Sequence, residues 1–171
     1  MEPLRLHTGR LQLRWLERQD AAFILQLTTD PEWLRFIGDR QVRDLDSAHD
    51  YIDSGPRAMY RELGFGLNRV ALRSDDTPIG ICGLLQRDTL ADCELGFALL
   101  PGYRGRGYAF EAADAVLRHG FATFGKTRIT AIVERENHAS IELLQRLGLR
   151  RERSILAEPD RDSLDLYVIE R

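Results

Sequence analysis

The chain has 171 residues, 43% of them hydrophobic and 30% charged, which suits one domain (residues 1–171) with a single core. A net charge of −3 leaves no basic excess, so general nucleic-acid binding and attraction to an anionic membrane are not expected. No apolar run nears the roughly 20 residues that cross a bilayer. The first residues also lack a basic-then-apolar leader pattern, so a cytoplasmic protein is expected.

In chain order, residues 11–16 (LQLRWL) alternate as a strand does. Residues 18–29 read as a helix carrying Ala22, Phe23, Leu25 and Leu27, and 30–39 as a loop or short helix. Residues 46–63 form a helical pattern stopped by Gly64. Strands follow at 65–72, 79–85 and 93–100, separated by the turn Asp75-Asp76-Thr77-Pro78 and a polar stretch at 87–92, which predicts an antiparallel meander. Residues 107–124 set Ala112, Ala113, Val116, Leu117 and Phe121 at helical spacing. A β-branched run at 129–133 predicts a strand, and 137–147 a helix closed by Gly148. Two last strands are expected from 149 onward and at 164–169. The fold class is α/β (α+β), with a mixed, mostly antiparallel sheet of about seven strands and helices on both faces. Cys82 and Cys93 lie in apolar strand segments, with no CxxC or Cys/His cluster. They read as buried free thiols, and no metal site is expected.

Two segments compete as phosphate loops. Gly120 to Thr127 (GFATFGKT) fits G-x-x-x-x-G-K-[ST] by letter. That motif needs a strand before it and a helix after it. Here a helix leads in and a strand leads out, so a helix C-terminus is the better reading. Pro101 to Ala109 (PGYRGRGYA) has the correct context, between a strand and a helix. Gly105 and Gly107 permit close backbone approach. The helix start offers unpaired N–H groups and a partial positive charge, and Arg104 and Arg106 add to it. A second basic group is Arg146, Arg150, Arg151 and Arg153.

Arg104-x-x-Gly107-x-Ala109 resembles the acetyl-CoA motif R/Q-x-x-G-x-G/A of the GNAT N-acetyltransferases. The surrounding ELGFALLPGYRGRGYAFEA resembles the ribosomal-protein (RimJ/RimL-type) branch of that family. Downstream, Asn137 to Leu149 (NHASIELLQRLGL) is similar to its N-x-x-S-x-x-L-x-x-x-x-G-[FL] segment. The resemblance covers nearly the whole chain. It implies acetyl-CoA as co-substrate and a primary amine as acceptor, either a protein N-terminus or a small molecule. It implies that backbone groups near Phe97 and Leu99 bond the pantetheine arm. It assigns the pyrophosphate to the amides of Arg104, Gly105, Arg106, Gly107, Tyr108 and Ala109, and sets Asn137 and Ser140 near the thioester. Asn137 is also a natural helix N-cap. A monomer or homodimer would serve.

Acetyl transfer needs a neutral amine. At pH 7 a lysine-like amine costs about 4.6 kcal/mol to deprotonate and an α-amine about 1. Many relatives carry a tyrosine acid on the last catalytic helix, but Leu144 stands at the matching position. Ser140 takes the acid role instead, as the RimL-like branch suggests. Glu94 is the first choice for general base, on the strand entering the loop and pointing opposite Leu95, Phe97 and Leu99. Glu134, Glu136 and His138 are rivals. The acceptor pocket is expected around Trp33, Phe36 and the helix after Asp46. A non-catalytic acyl-CoA sensor on the same fold, favoured by the missing tyrosine, and a P-loop nucleotidase are the alternatives.

Overall fold

The computed structural model describes residues 4–155 and 164–171. Strands β1 (Arg5–His7), β2 (Leu11–Trp15), β3 (Leu67–Leu72), β4 (Pro78–Leu85) and β5 (Glu94–Leu99) pair antiparallel in sequence order. Then β6 (Arg128–Glu134) joins β5 in parallel, and β8 (Leu164–Glu170) lies between β6 and β7 (Arg150–Ile155). Among the described residues the sheet therefore has eight strands, against an expectation of about seven. The added strand, Arg5–His7, is too short and too polar on its exposed face to leave a period.

The helices between β2 and β3 also differ in detail. Residues 18–29 begin as a 3-10 turn at Arg18–Asp20 before α1 (Ala21–Thr28). The buried Asp20 receives both Arg14 guanidinium nitrogens at 2.8 Å. Next, α2 (Pro31–Phe36) starts on Asp30, whose carboxylate accepts from the amides of Glu32 and Trp33, with Pro31 in the first turn where no N–H is missed. The expected helix 46–63 is two helices, α3 (Leu45–Ser54) and α4 (Pro56–Leu63). Pro56 has no N–H and its ring opposes the carbonyl one turn back, so the chain turns at Gly55. Tyr60 on α4 stacks on Trp15 at 4.6 Å, and its hydroxyl accepts from Leu16 N and donates to Leu67 O.

One apolar layer joins α1, α2 and α3 to the sheet through Leu16, Ile24, Leu27, Ile52 and Ile81. On the other face α5 (Tyr108–Thr123) packs Ala112, Ala113, Val116 and Leu117 against Cys82, Leu84 and Leu95. The last helix, α6 (His138–Arg146), adds Leu144 to this second layer. Each fully buried leucine or isoleucine contributes roughly 1.5–3 kcal/mol through area removed from water. Both cysteines are buried free thiols, and burial pushes the Cys82 thiol well above its ordinary range. Among the described residues, no helix is long and apolar enough to cross a membrane.

Candidate active site

β5 and β6 share a single registered pair, Glu94 with Thr130, closed by the bond from Thr130 N to Cys93 O at 2.9 Å. Beyond that pair a cavity of about 690 Å³ is lined from both strands. Which β5 backbone groups face it follows from alternation. Leu100 N bonds Ile79 O on the β4 side, and Cys93 O is bonded from the β6 side. Even-numbered residues of β5 therefore direct their backbone groups to β4, and odd-numbered ones to β6. The N–H and C=O groups of Leu95, Phe97 and Leu99 are thus turned away from β4, toward the gap. Leu99 O is taken by Arg104 Nε at 3.0 Å.

The same alternation sorts the side chains. Leu95, Phe97 and Leu99 pack with the α5 layer, and Ala98 with the α1–α3 layer. Glu94 takes the Ala98 face, as expected from the sequence. It is 4% exposed, lines the cavity, and binds Arg87 through both carboxylate oxygens, the longer contact being 3.3 Å. Arg87 lies in the stretch read only as a polar turn. It also lines the cavity, with its side chain 40% exposed.

At the far end of β5 a short 3-10 turn, Pro101–Tyr103, leads into the glycine loop. Gly105 and Gly107 adopt φ of +71° and +79°, in the left-handed region where a Cβ is strained. Gly107 is the N-cap of α5, and no side chain caps it. The first α5 amides consequently have no partner one turn back. Gly105, Gly107, Tyr108 and Ala109 line the cavity. This is a cradle of backbone donors that a side chain on either glycine would disturb.

The loop is held from two sides. Arg104 pairs with Asp30 at 2.6 Å and Glu32 at 2.8 Å, so its charge ties the loop to the start of α2 rather than standing free. Arg106 is exposed and its carbonyl accepts from Arg10. Arg10 also stacks on Tyr108 at 4.3 Å and meets Glu111 at 2.7 Å, and Thr8 donates to the same carboxylate at 2.5 Å. Burial is the largest influence on Glu111 and raises its pKa, but the bonds from Thr8 and Arg10 outweigh it and hold the group below its ordinary value.

Across the gap, Asn137 caps α6 by accepting from Ser140 N at 3.2 Å. Both residues line the cavity, with Ser140 half-buried. Leu144, where a tyrosine was missed, is 1% exposed and lines the cavity as a methyl surface. The rival bases separate. Glu134 faces the cavity, whereas Glu136 and His138 are exposed, and Glu136 pairs with Arg35. Trp33 and Phe36 from α2 line the cavity too, together with Tyr51 from α3 and Met59 from α4. Trp33 is largely a core residue at 4% exposure. Burial raises the Tyr51 phenol above its ordinary value, while the charge of Arg40 lowers it.

Gly120 lies inside α5, and Lys126 packs over the Phe65 ring at 5.0 Å. The letter match there is a helix end and the approach to β6. Among the described residues no group of three or more His, Cys, Asp or Glu is placed to hold a metal ion.

Residues 10–150 match the family described as "Acetyltransferase (GNAT) domain". The chain is 33% identical over 152 residues to an uncharacterized N-acetyltransferase p20 of Bacillus licheniformis, covering 86% of this chain and 83% of that one. It is 23% identical over 149 residues to a spermidine N(1)-acetyltransferase of Escherichia coli strain K12, covering 86% of this chain and 77% of that one. Among solved structures, an acetyltransferase from Agrobacterium tumefaciens strain C58 superposes with a TM-score of 0.83 at 26% identity, covering 100% of this chain and 96% of that one.

Proposed function

The chain belongs to the GNAT acetyltransferase family and is an acyltransferase enzyme, and from that premise we propose that it transfers acetyl from acetyl-CoA to a primary amine by direct attack within a ternary complex. The observation that carries this reading is the gap between β5 and β6, with the uncapped N-terminus of α5 at one end and the buried Glu94 lining its wall.

In this reading the amides from Arg104 to Ala109 hold the pyrophosphate, where the helix dipole favours an anion. The bound thioester supplies the activated acyl carbon. Arg104 acts mainly by fixing the loop against Asp30 and Glu32. The outward backbone groups of Phe97 and Leu99 bond the pantetheine arm, while Asn137 and Ser140 flank the thioester end. Glu94 accepts the amine proton, directly or through one water. The N–C bond forms, the C–S bond breaks, and the Ser140 hydroxyl supplies a proton to the departing sulfur. Solvent then restores Ser140 and Glu94.

The resemblance to the RimJ/RimL branch supports an α-amine acceptor, which costs about 1 kcal/mol to deprotonate at pH 7. The name of the E. coli relative supports a polyamine instead. The test is thiol release from acetyl-CoA with a panel of amines, paired with calorimetry. Binding of acetyl-CoA with amine-dependent thiol release supports the proposal. Binding of Mg-ATP without binding of acetyl-CoA contradicts it.

A further inference from the structure

We infer that the acceptor is an apolar primary amine that also carries an anionic group, received by Arg40 and Tyr51, and is not a polyamine. The inference rests on the acetyl-transfer reading above.

A polyamine carries several positive charges near neutral pH, so its site must offer carboxylates free to meet them. Of the acidic residues that line the cavity, Glu142 lies exposed on α6 and the other three are engaged, so several positive charges cannot all be met. Glu94 holds Arg87 through both oxygens. Glu32 pairs with Arg104 at 2.8 Å, and Asp30 beneath it with the same guanidinium at 2.6 Å. Glu134, on the β6 wall, is not free either. Asp30 and Glu32 would have to give up Arg104 before taking another cation, and Glu94 serves the reacting amine itself.

Arg40 presents the opposite case. It lines the cavity and makes no ion pair or hydrogen bond among the described residues. The carboxylate beside it in sequence, Asp39, is held by Arg43 with one contact at 2.8 Å and is drawn down to about 2. Tyr51 lines the same cavity, and its hydroxyl has no hydrogen-bond partner among the described residues. The charge of Arg40 is felt at that phenol, so the two groups act on a shared region.

The remaining surface of this end is apolar, from Ile37, Met59, Leu67 and Leu85. Such walls favour a hydrocarbon body on the acceptor. The recognised molecule thus presents an amine at Glu94, an apolar middle and an anion at Arg40.

Two matched pairs and one polycation test this with the intact enzyme and acetyl-CoA. The pairs are 4-(aminomethyl)benzoate with 4-(aminomethyl)benzamide, and the dipeptide amides Leu-Glu-NH2 with Leu-Gln-NH2. Spermidine is the polycation. The carboxylate member of at least one pair is expected to exceed its amide in kcat/KM by about tenfold, the worth of one charge-assisted bond at a partly exposed site. Spermidine is expected to be the poorest substrate. Arg40→Gln should bring the ratio within that pair close to one, and Arg40→Lys should restore part of it. Equal rates within both pairs, spermidine as the best acceptor, or an unchanged ratio in Arg40→Gln would overturn the inference. Transfer without charge preference counts against this inference alone. Acetyl-CoA binding with no turnover of any of these amines counts against the transfer reading and removes this inference with it.

Discussion

Along the start of α5 the cavity is walled by backbone: positive-φ glycines, uncapped amides and the outward groups of β5. Along α2, α3 and α4 it is walled by side chains drawn from distant segments, among them Trp33, Tyr51, Met59 and Leu85. Backbone walls depend on local dihedrals, so a short motif can encode them. Side-chain walls depend on which segments meet, so no short motif encodes them. The first wall suits a co-substrate common to a family, and the second an acceptor particular to one member.

Substitutions should therefore separate by wall. The largest effect is expected at Gly107. A Cβ there would be strained at φ +79° and would stand 3.4 Å from Arg10 Nη2. Gly107→Val should weaken acetyl-CoA binding by about 100-fold or more in calorimetry, since strain of roughly 1–3 kcal/mol adds to the lost approach. Circular dichroism should remain native. Full affinity would mean that the backbone wall does not hold the co-substrate.

Next comes Glu94→Gln on the acceptor side. It should lower kcat by about 100-fold, in the range of general base catalysis, with acetyl-CoA affinity nearly unchanged. A loss of affinity equal to the loss of kcat would mean that the two walls do not act separately. Ser140→Ala should be milder, lowering kcat by about tenfold with little change in the KM for acetyl-CoA. Unaffected turnover would remove Ser140 as the acid.

How much of this was legible divides along the same line. The loop at Arg104 to Ala109, the α5 start and the Asn137 cap were readable, because glycine placement and capping residues are local signals. The order of strands from β2 to β5 was readable from alternation. The break at Pro56 was readable in principle, but the helical period on either side concealed it. Strand β1 left no period in its three residues. Arg87 was unreadable as a site residue, since its role comes from the β4–β5 register that sets it against Glu94. Arg104 looked like a phosphate charge, and only the tertiary contact with Asp30 shows it as a tether. Arg40 and Tyr51 carry no motif at all.

Two smaller effects sharpen the picture of the backbone wall. Asn137→Ala removes a cap and should cost about 1 kcal/mol of stability, read as a lower Tm. Glu111 concerns the latch from Thr8 and Arg10. Its folded pKa is lowered, so its stabilisation is present above the unfolded carboxylate value and is lost as pH falls through the folded one. Glu111→Gln should thus lower Tm near neutral pH, and the gap to the wild type should close in acid. A gap constant down to strong acid would mean that the carboxylate charge does not hold the latch.

Whether this gap and this loop hold acetyl-CoA is decided by a crystal structure with bound CoA. Pyrophosphate oxygens are expected within hydrogen-bond distance of amides between Gly105 and Ala109, with the pantetheine arm paired to Phe97 or Leu99. Pyrophosphate seated at Gly120 to Thr127, or a pantetheine arm outside the β5–β6 gap, would contradict it.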